Sequence, residues 1–173
     1  MRTRITTTLV PALLMVYAVA RWVDGRDDTY GPGLAWNVGH LAFLGAFAGF
    51  GLLTADFWQR SPRRHAGVAL ATAASMVGVL LFCWVIVTDL SPALDERASL
   101  PDPVMMVGPL VFIVGFVAAL ALHCRQTCVA RWGLPPAAAL TALVLVGASL
   151  DLLPLTAVLM GAALWPVGAS RNR

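Results

Sequence analysis

The sequence predicts an all-α, polytopic transmembrane helix bundle of six segments with both termini in the cytoplasm. Three observations predict it. Of 173 residues, 59% are hydrophobic and 12% charged, whereas soluble domains run at about 45–50% and about 25%; the mean hydropathy is +0.78. A soluble domain of this size buries only about 70% of the surface its chain exposes, too little to hide so much apolar area. The apolar residues also gather in runs near the ~20 residues that a ~30 Å hydrocarbon core requires. Finally, the charge balance of the connecting stretches alternates at every crossing, as the positive-inside rule demands. These features exclude a soluble enzyme, a disulfide-rich secreted module and a disordered chain.

The whole of 1–173 reads as a single integral membrane domain, with segments at about 5–22, 34–58, 66–90, 104–123, 135–150 and 152–168. The first, Ile5–Trp22, starts polar with Thr6, Thr7 and Thr8. Its Ala18-Val19-Ala20 fits the small-residue cleavage pattern of a secretory signal, but the apolar run continues through Trp22, so the segment is read as a span. Leu34–Trp58, Ala66–Leu90 and Val104–His123 are plain apolar runs. The last stretch, Leu134–Gly168, would measure about 50 Å as one helix. Its centre reads Ser149-Leu150-Asp151-Leu152-Leu153-Pro154. Proline lacks a backbone donor and disfavours helix at the preceding residue, so the chain is expected to break between Leu150 and Pro154. The two arms, about 25 Å each, form either a fifth and sixth span or a re-entrant hairpin.

Charges set the orientation. Arg2 and Arg4 lie at the start, and Arg21 and Arg26 meet Asp24, Asp27 and Asp28 in the first loop. Arg60, Arg63 and Arg64 stand without an acid in the second. The third loop is acidic, with Asp89, Asp95, Glu96 and Asp102 against Arg97. The fourth is basic, with Arg125 and Arg131. Asp151 alone marks the fifth turn, and Arg171 and Arg173 close the tail. Trp22, Trp36, Trp58, Trp132 and Trp165 fall near the resulting interfaces, where an indole keeps one end wet; Trp84 lies further in. All the basic side chains are Arg, with no Lys, in a chain rich in Ala, Leu, Val and Gly. That composition suggests a GC-rich bacterial genome, and hence the bacterial cytoplasmic (inner) membrane.

Small residues recur at helix-packing spacing: Gly45 and Gly49, then Gly67, Ala71 and Ser75, then Gly115 and Ala119, then Ala157 and Gly161. Such rows let helices approach closely in lipid. They serve packing inside the bundle or, for Gly45 and Gly49, a homodimer seam or contacts with other membrane subunits. Residues 38–47 and 107–116 match at five of ten positions, at an offset of 69. That pattern suits duplication of a two-helix unit.

An ionisable group inside a membrane needs a reason to be there. His40 lies about 9 Å into the second segment. Trp36 and Asn37 stand four and three residues before it, within reach of one face, and Phe43 and Phe47 continue the stripe. Trp36, Asn37 and His40 are the expected ligand contacts, and His40, Asp89 and Asp151 the candidate catalytic groups around an outward-facing cavity. Asp56 and Arg60 have the spacing of an ion pair on one helix face. Asp24, Asp27 and Asp28 read as a solvated acidic loop, because the twelve-residue calcium-loop pattern is missing. Cys83, Cys124 and Cys128 are too few and too scattered for a disulfide framework. No nucleophile elbow, zinc helix or phosphate loop occurs. No cofactor, metal or nucleic-acid partner is expected; the expected partner is the lipid bilayer.

The functional expectation is a small non-enzymatic membrane protein that handles a small or lipophilic solute or serves as a subunit of a membrane assembly. The alternative is an intramembrane enzyme acting on a lipid or isoprenoid, with His40 and an acid in acid–base roles. An enzyme needs that pair around a pocket, whereas a subunit needs a tightly packed interior.

Overall fold

The computed structural model describes residues 2–27, 31–63, 65–127 and 133–169. Asp28, Arg64, Cys128, Arg131, Trp132, Arg171 and Arg173, singled out above, lie outside it. The described residues form seven α-helices and no strand: α1 (Arg2–Asp24), α2 (Leu34–Arg60), α3 (Ala66–Asp89), α4 (Pro92–Ala98), α5 (Asp102–Gln126), α6 (Leu134–Ala148) and α7 (Leu153–Ala169). Short 3-10 turns follow α1 and precede α7. Five helical stretches are long and apolar enough to cross a membrane, the last being Leu150–Ala169; α6 is apolar but shorter. Their outer faces carry exposed Leu41, Leu52, Leu70, Leu80, Leu110 and Val114. Apolar side chains turned outward on every side suit lipid as the solvent, and this is the surface of a multi-pass membrane protein.

The chain does break in this stretch, but at Ser149 and a 3-10 turn over Leu150–Leu152 and not at the residue before Pro154: Leu153 is itself helical, at φ −52° and ψ −41°. α6 ends at Ala148, Ser149 is extended at φ −157° and ψ 133°, and its side chain accepts from Asp151 N before α7 begins. Pro154 occupies the first turn of α7, where its missing N–H leaves no gap.

The six long helices pack in a closed ring, in the order α1, α2, α3, α5, α6, α7 and back to α1, and α2 also meets α5 across the middle. Glycines set the closest approaches. Gly39, Gly45 and Gly49 on α2 face Tyr17, Leu13 and Val10 on α1, so the Gly45–Gly49 row is occupied by the chain's own first helix. Gly115 lies against the backbone of Ser75, and Gly78 against that of Phe112. In lipid such contacts hold helices together, since no hydrophobic effect drives one helix onto another. Gly39 and Gly108, matched in the ten-residue similarity, each face the preceding long helix, at Tyr17 and Leu81.

The half of the ring toward Arg60 is filled. Phe50 meets Phe112 and Phe116 edge-on, with centroids 5.3 and 4.9 Å apart, and Thr54 and Ser75 share a buried hydroxyl bond of 2.9 Å. At the C-terminal end of α2, Arg60 pairs with Asp56 one turn back. His123 stacks on Phe57 at 4.5 Å, and Gln126 ties α5 to Ser61 and to Arg63 O. Trp84 meets the segment that follows α3. The loop helix α4 folds back to it, and its Nε1–H donates to Ala98 O at 3.0 Å.

Candidate functional site

His40 enters the ring from α2 and is 5% exposed. Its Nδ1 lies 2.9 Å from the backbone oxygen of Trp36. A carbonyl only accepts, so Nδ1 carries the hydrogen. The Trp36 indole covers the imidazole with ring centroids 4.0 Å apart, and its Nε1–H donates to Asp89 O at 3.4 Å. That bond joins the N-terminal end of α2 to the last residue of α3. The Asp89 carboxylate, 42% exposed, stands 3.6 Å from His40 Nε2. An acid at a helix C-terminus opposes the helix dipole by roughly 0.3–1 kcal/mol, so α3 gains no stability from it there. Tyr17 of α1 completes the cluster, edge-on to His40 at 5.6 Å and stacked on Phe43 at 4.3 Å.

Below this cluster the ring holds a partly open cavity of about 300 Å³. All six long helices build its wall: Leu14 and Tyr17 of α1, Phe43, Phe47 and Phe50 of α2, Phe82 and Ile86 of α3, Phe112 of α5, Val146 of α6, and Leu153 and Thr156 of α7. Phe43, Phe47 and Phe50 share one face because they recur at i, i+4 and i+7. The Thr156 hydroxyl is already used, donating to Ala142 O at 3.1 Å. The polar groups left at the wall are therefore His40, Asp89 and Tyr17, all at one end. The cavity has about twice the volume of the ~150 Å³ apolar cavity that takes benzene, and stands at the small end of ligand pockets, about 300–1,000 Å³.

The structure brings together Trp36, His40 and Asp89. It leaves Asn37 apart, on the exposed side of α2. Trp36 is 40° from His40 around the helix and Asn37 is 60° the other way, at 3.6 residues per turn; the inward face passes through Trp36. Asp151 sits at the same end of the bundle as Asp89 but lines a separate crevice, with Arg21, Trp22 and Arg26. It is exposed and hydrogen-bonded to Ser149. Sequence reading missed Tyr17, Phe82 and Phe112 as site residues. A visible signal existed for Tyr17, the one phenol inside an apolar run. Among the described residues no trio of His, Cys, Asp or Glu could hold a metal ion.

No protein-family model, curated protein or solved structure matches the chain. What the site does must therefore be read from this geometry.

Proposed function

We propose that this is a small multi-pass protein of the bacterial cytoplasmic membrane that holds a lipophilic solute in its outer half, without chemical turnover. The observation behind the reading is the aromatic-walled 300 Å³ cavity with its polar groups gathered at one end. A tightly packed interior, the expectation for a purely structural subunit, does not describe it. Apolar walls supply affinity, and one or two placed polar groups supply orientation. In the proposed topology α1 to α7 cross six times, both termini are cytoplasmic, and the His40 end faces outward. Reporter fusions at the two ends test that layout; one periplasmic end overturns it.

The test of binding uses 1-fluoro-4-pentylbenzene, a compact apolar probe of about twelve non-hydrogen atoms, sized by doubling the benzene cavity. With protein in lipid nanodiscs, fluorine NMR should show a saturable bound signal. Val146→Trp, which fills the cavity from α6, should abolish it while the helical circular-dichroism spectrum persists. Absence of a saturable signal in the parent protein refutes the reading.

One observation favours the enzymatic alternative: His40 and Asp89 do approach at the cavity mouth. That pair would serve acid–base chemistry on a lipid or isoprenoid. A product appearing from bacterial lipid extract with the parent protein, and not with His40→Leu, would establish it in place of passive binding.

A further inference from the structure

The hydrogen at His40 Nδ1 has a consequence for what the cavity accepts. Because Nδ1 donates to Trp36 O, a neutral imidazole presents Nε2 as a bare acceptor. Facing it is a carboxylate oxygen of Asp89, also an acceptor, at 3.6 Å. Two acceptors stand opposite each other with no hydrogen between them. If the ring is instead protonated, Nε2–H points at Asp89 across a gap longer than the ~2.7–2.9 Å of a direct charge-assisted bond. In either state a hydroxyl pairs with His40 Nε2, while the half-exposed Asp89 carboxylate keeps its access to water. Against the neutral ring the hydroxyl donates to Nε2. Against the protonated ring it accepts from Nε2–H and donates to Asp89.

Other head groups fit less well. A ketone or ether only accepts, so it leaves the neutral ring without a donor. An anion is repelled by the Asp89 carboxylate. A cation needs solvation that the phenylalanines below cannot supply, and an ion stripped of water is costly in an apolar cavity. The body of the ligand meets Phe43, Phe47, Phe82 and Phe112, whose faces and edges favour offset or edge-on contact with another ring.

We infer that the cavity is selective for a neutral, hydroxyl-bearing aromatic lipophile of phenol type, whose O–H is read by His40 Nε2 beside Asp89. The inference rests on the cavity-binding reading above, and the experiment separates the two. In nanodiscs, 4-pentylphenol should displace 1-fluoro-4-pentylbenzene, a probe of equal heavy-atom count, with about tenfold higher affinity, the ratio one hydrogen bond supports in such a site. In His40→Leu the fluoro probe should still bind and the ratio should fall to about one. The histidine nitrogen-15 spectrum of the parent protein gives a second readout that needs no variant: the phenol should move the Nε2 resonance of His40, and the fluoro probe should not. Equal affinity of the two probes for the parent protein overturns hydroxyl selectivity while leaving the cavity reading intact. A tenfold ratio that survives in His40→Leu overturns His40 as the reader. Failure of both probes to bind removes the cavity reading and this inference with it.

Discussion

The closest backbone approach in the bundle gives a prediction with a calculable size. A Cβ added at Gly115 would lie 2.7 Å from the carbonyl carbon of Ala74 and 2.8 Å from Cα of Ser75. Carbon atoms pack at about 3.5–4.0 Å, so Gly115→Ala forces α3 and α5 apart by about 1 Å. The atoms in the way are backbone and cannot rotate aside. A gap of that size forfeits a quarter to a half of each dispersion contact along the seam, and overpacking of this kind typically destabilises by about 1–3 kcal/mol. Alanine recovers up to about 1 kcal/mol over glycine through helix propensity. The expected net loss is about 1–2 kcal/mol, roughly a five- to thirtyfold shift toward the unfolded state. The assay is reversible unfolding in mixed micelles with increasing denaturing detergent, followed by far-ultraviolet circular dichroism. Gly147→Ala serves as the contrast, because a Cβ there meets nothing within 4 Å; its midpoint should equal or exceed that of the parent. If Gly115→Ala unfolds at or above the parent midpoint, the α3–α5 seam is not the close contact described, and the reasoning from glycine spacing fails.

Two further outcomes test other joints of the fold. Thr54→Val breaks the buried hydroxyl bond to Ser75 and should destabilise by about 0.6 kcal/mol, up to about 1.7; adding Ser75→Ala should cost much less than it does alone, which a double-mutant cycle in the same micelles would measure. Trp84→Phe deletes the bond to Ala98 O, so backbone amides of Ala93–Ala98 should exchange with deuterium faster while those of α3 stay protected.

The helices other than α4 were legible because each is an apolar run, and a break near Pro154 was foreseen, though it falls at Ser149–Leu152 and leaves Leu153 helical. The meeting of His40 with Asp89 on one side followed from a helical hairpin that keeps sequential neighbours adjacent. The interior face of α2 was not legible. With apolar residues all round the helix, periodicity points nowhere, and Trp36 and Asn37 are equally plausible neighbours of His40 until α3 supplies Asp89 O as a partner for the indole. Tyr17 escaped notice because its role comes from Phe43 and His40 on another helix, a contact that no spacing within α1 encodes. The helix α4 was missed because seven residues are too few to show a period, although Pro92 stands at its first turn and good helix formers follow. The bond from Trp84 to Ala98 O was not foreseen for the same reason, because Ala98 belongs to that helix.

The course of the final hairpin follows from its partner. α7 runs antiparallel to α1 along nearly its whole length. Gly168 faces Thr7 near the start of α1, Gly161 faces Pro11, and Asp151 and Pro154 share a crevice with Trp22 and Arg26 at its end. From Asp151 to Gly168 the rise is about 25 Å, close to the hydrocarbon thickness. If α1 crosses the membrane, α7 crosses beside it, and α6 must bring the chain out to the turn at Ser149. A re-entrant hairpin would instead put its tip in mid-membrane, beside residues such as Leu14, not beside Trp22. The expected outcome is read by cysteine labelling in whole cells, in a chain whose own cysteines are replaced by alanine. Asp151→Cys should react with a membrane-impermeant maleimide added outside. Ala169→Cys should react only after the cells are permeabilised, and so should Arg60→Cys. An Asp151→Cys shielded from the outside reagent would restore the re-entrant hairpin. An Ala169→Cys that reacts from outside would mean that α6 and α7 together cross only once, leaving five spans and a basic tail on the wrong side.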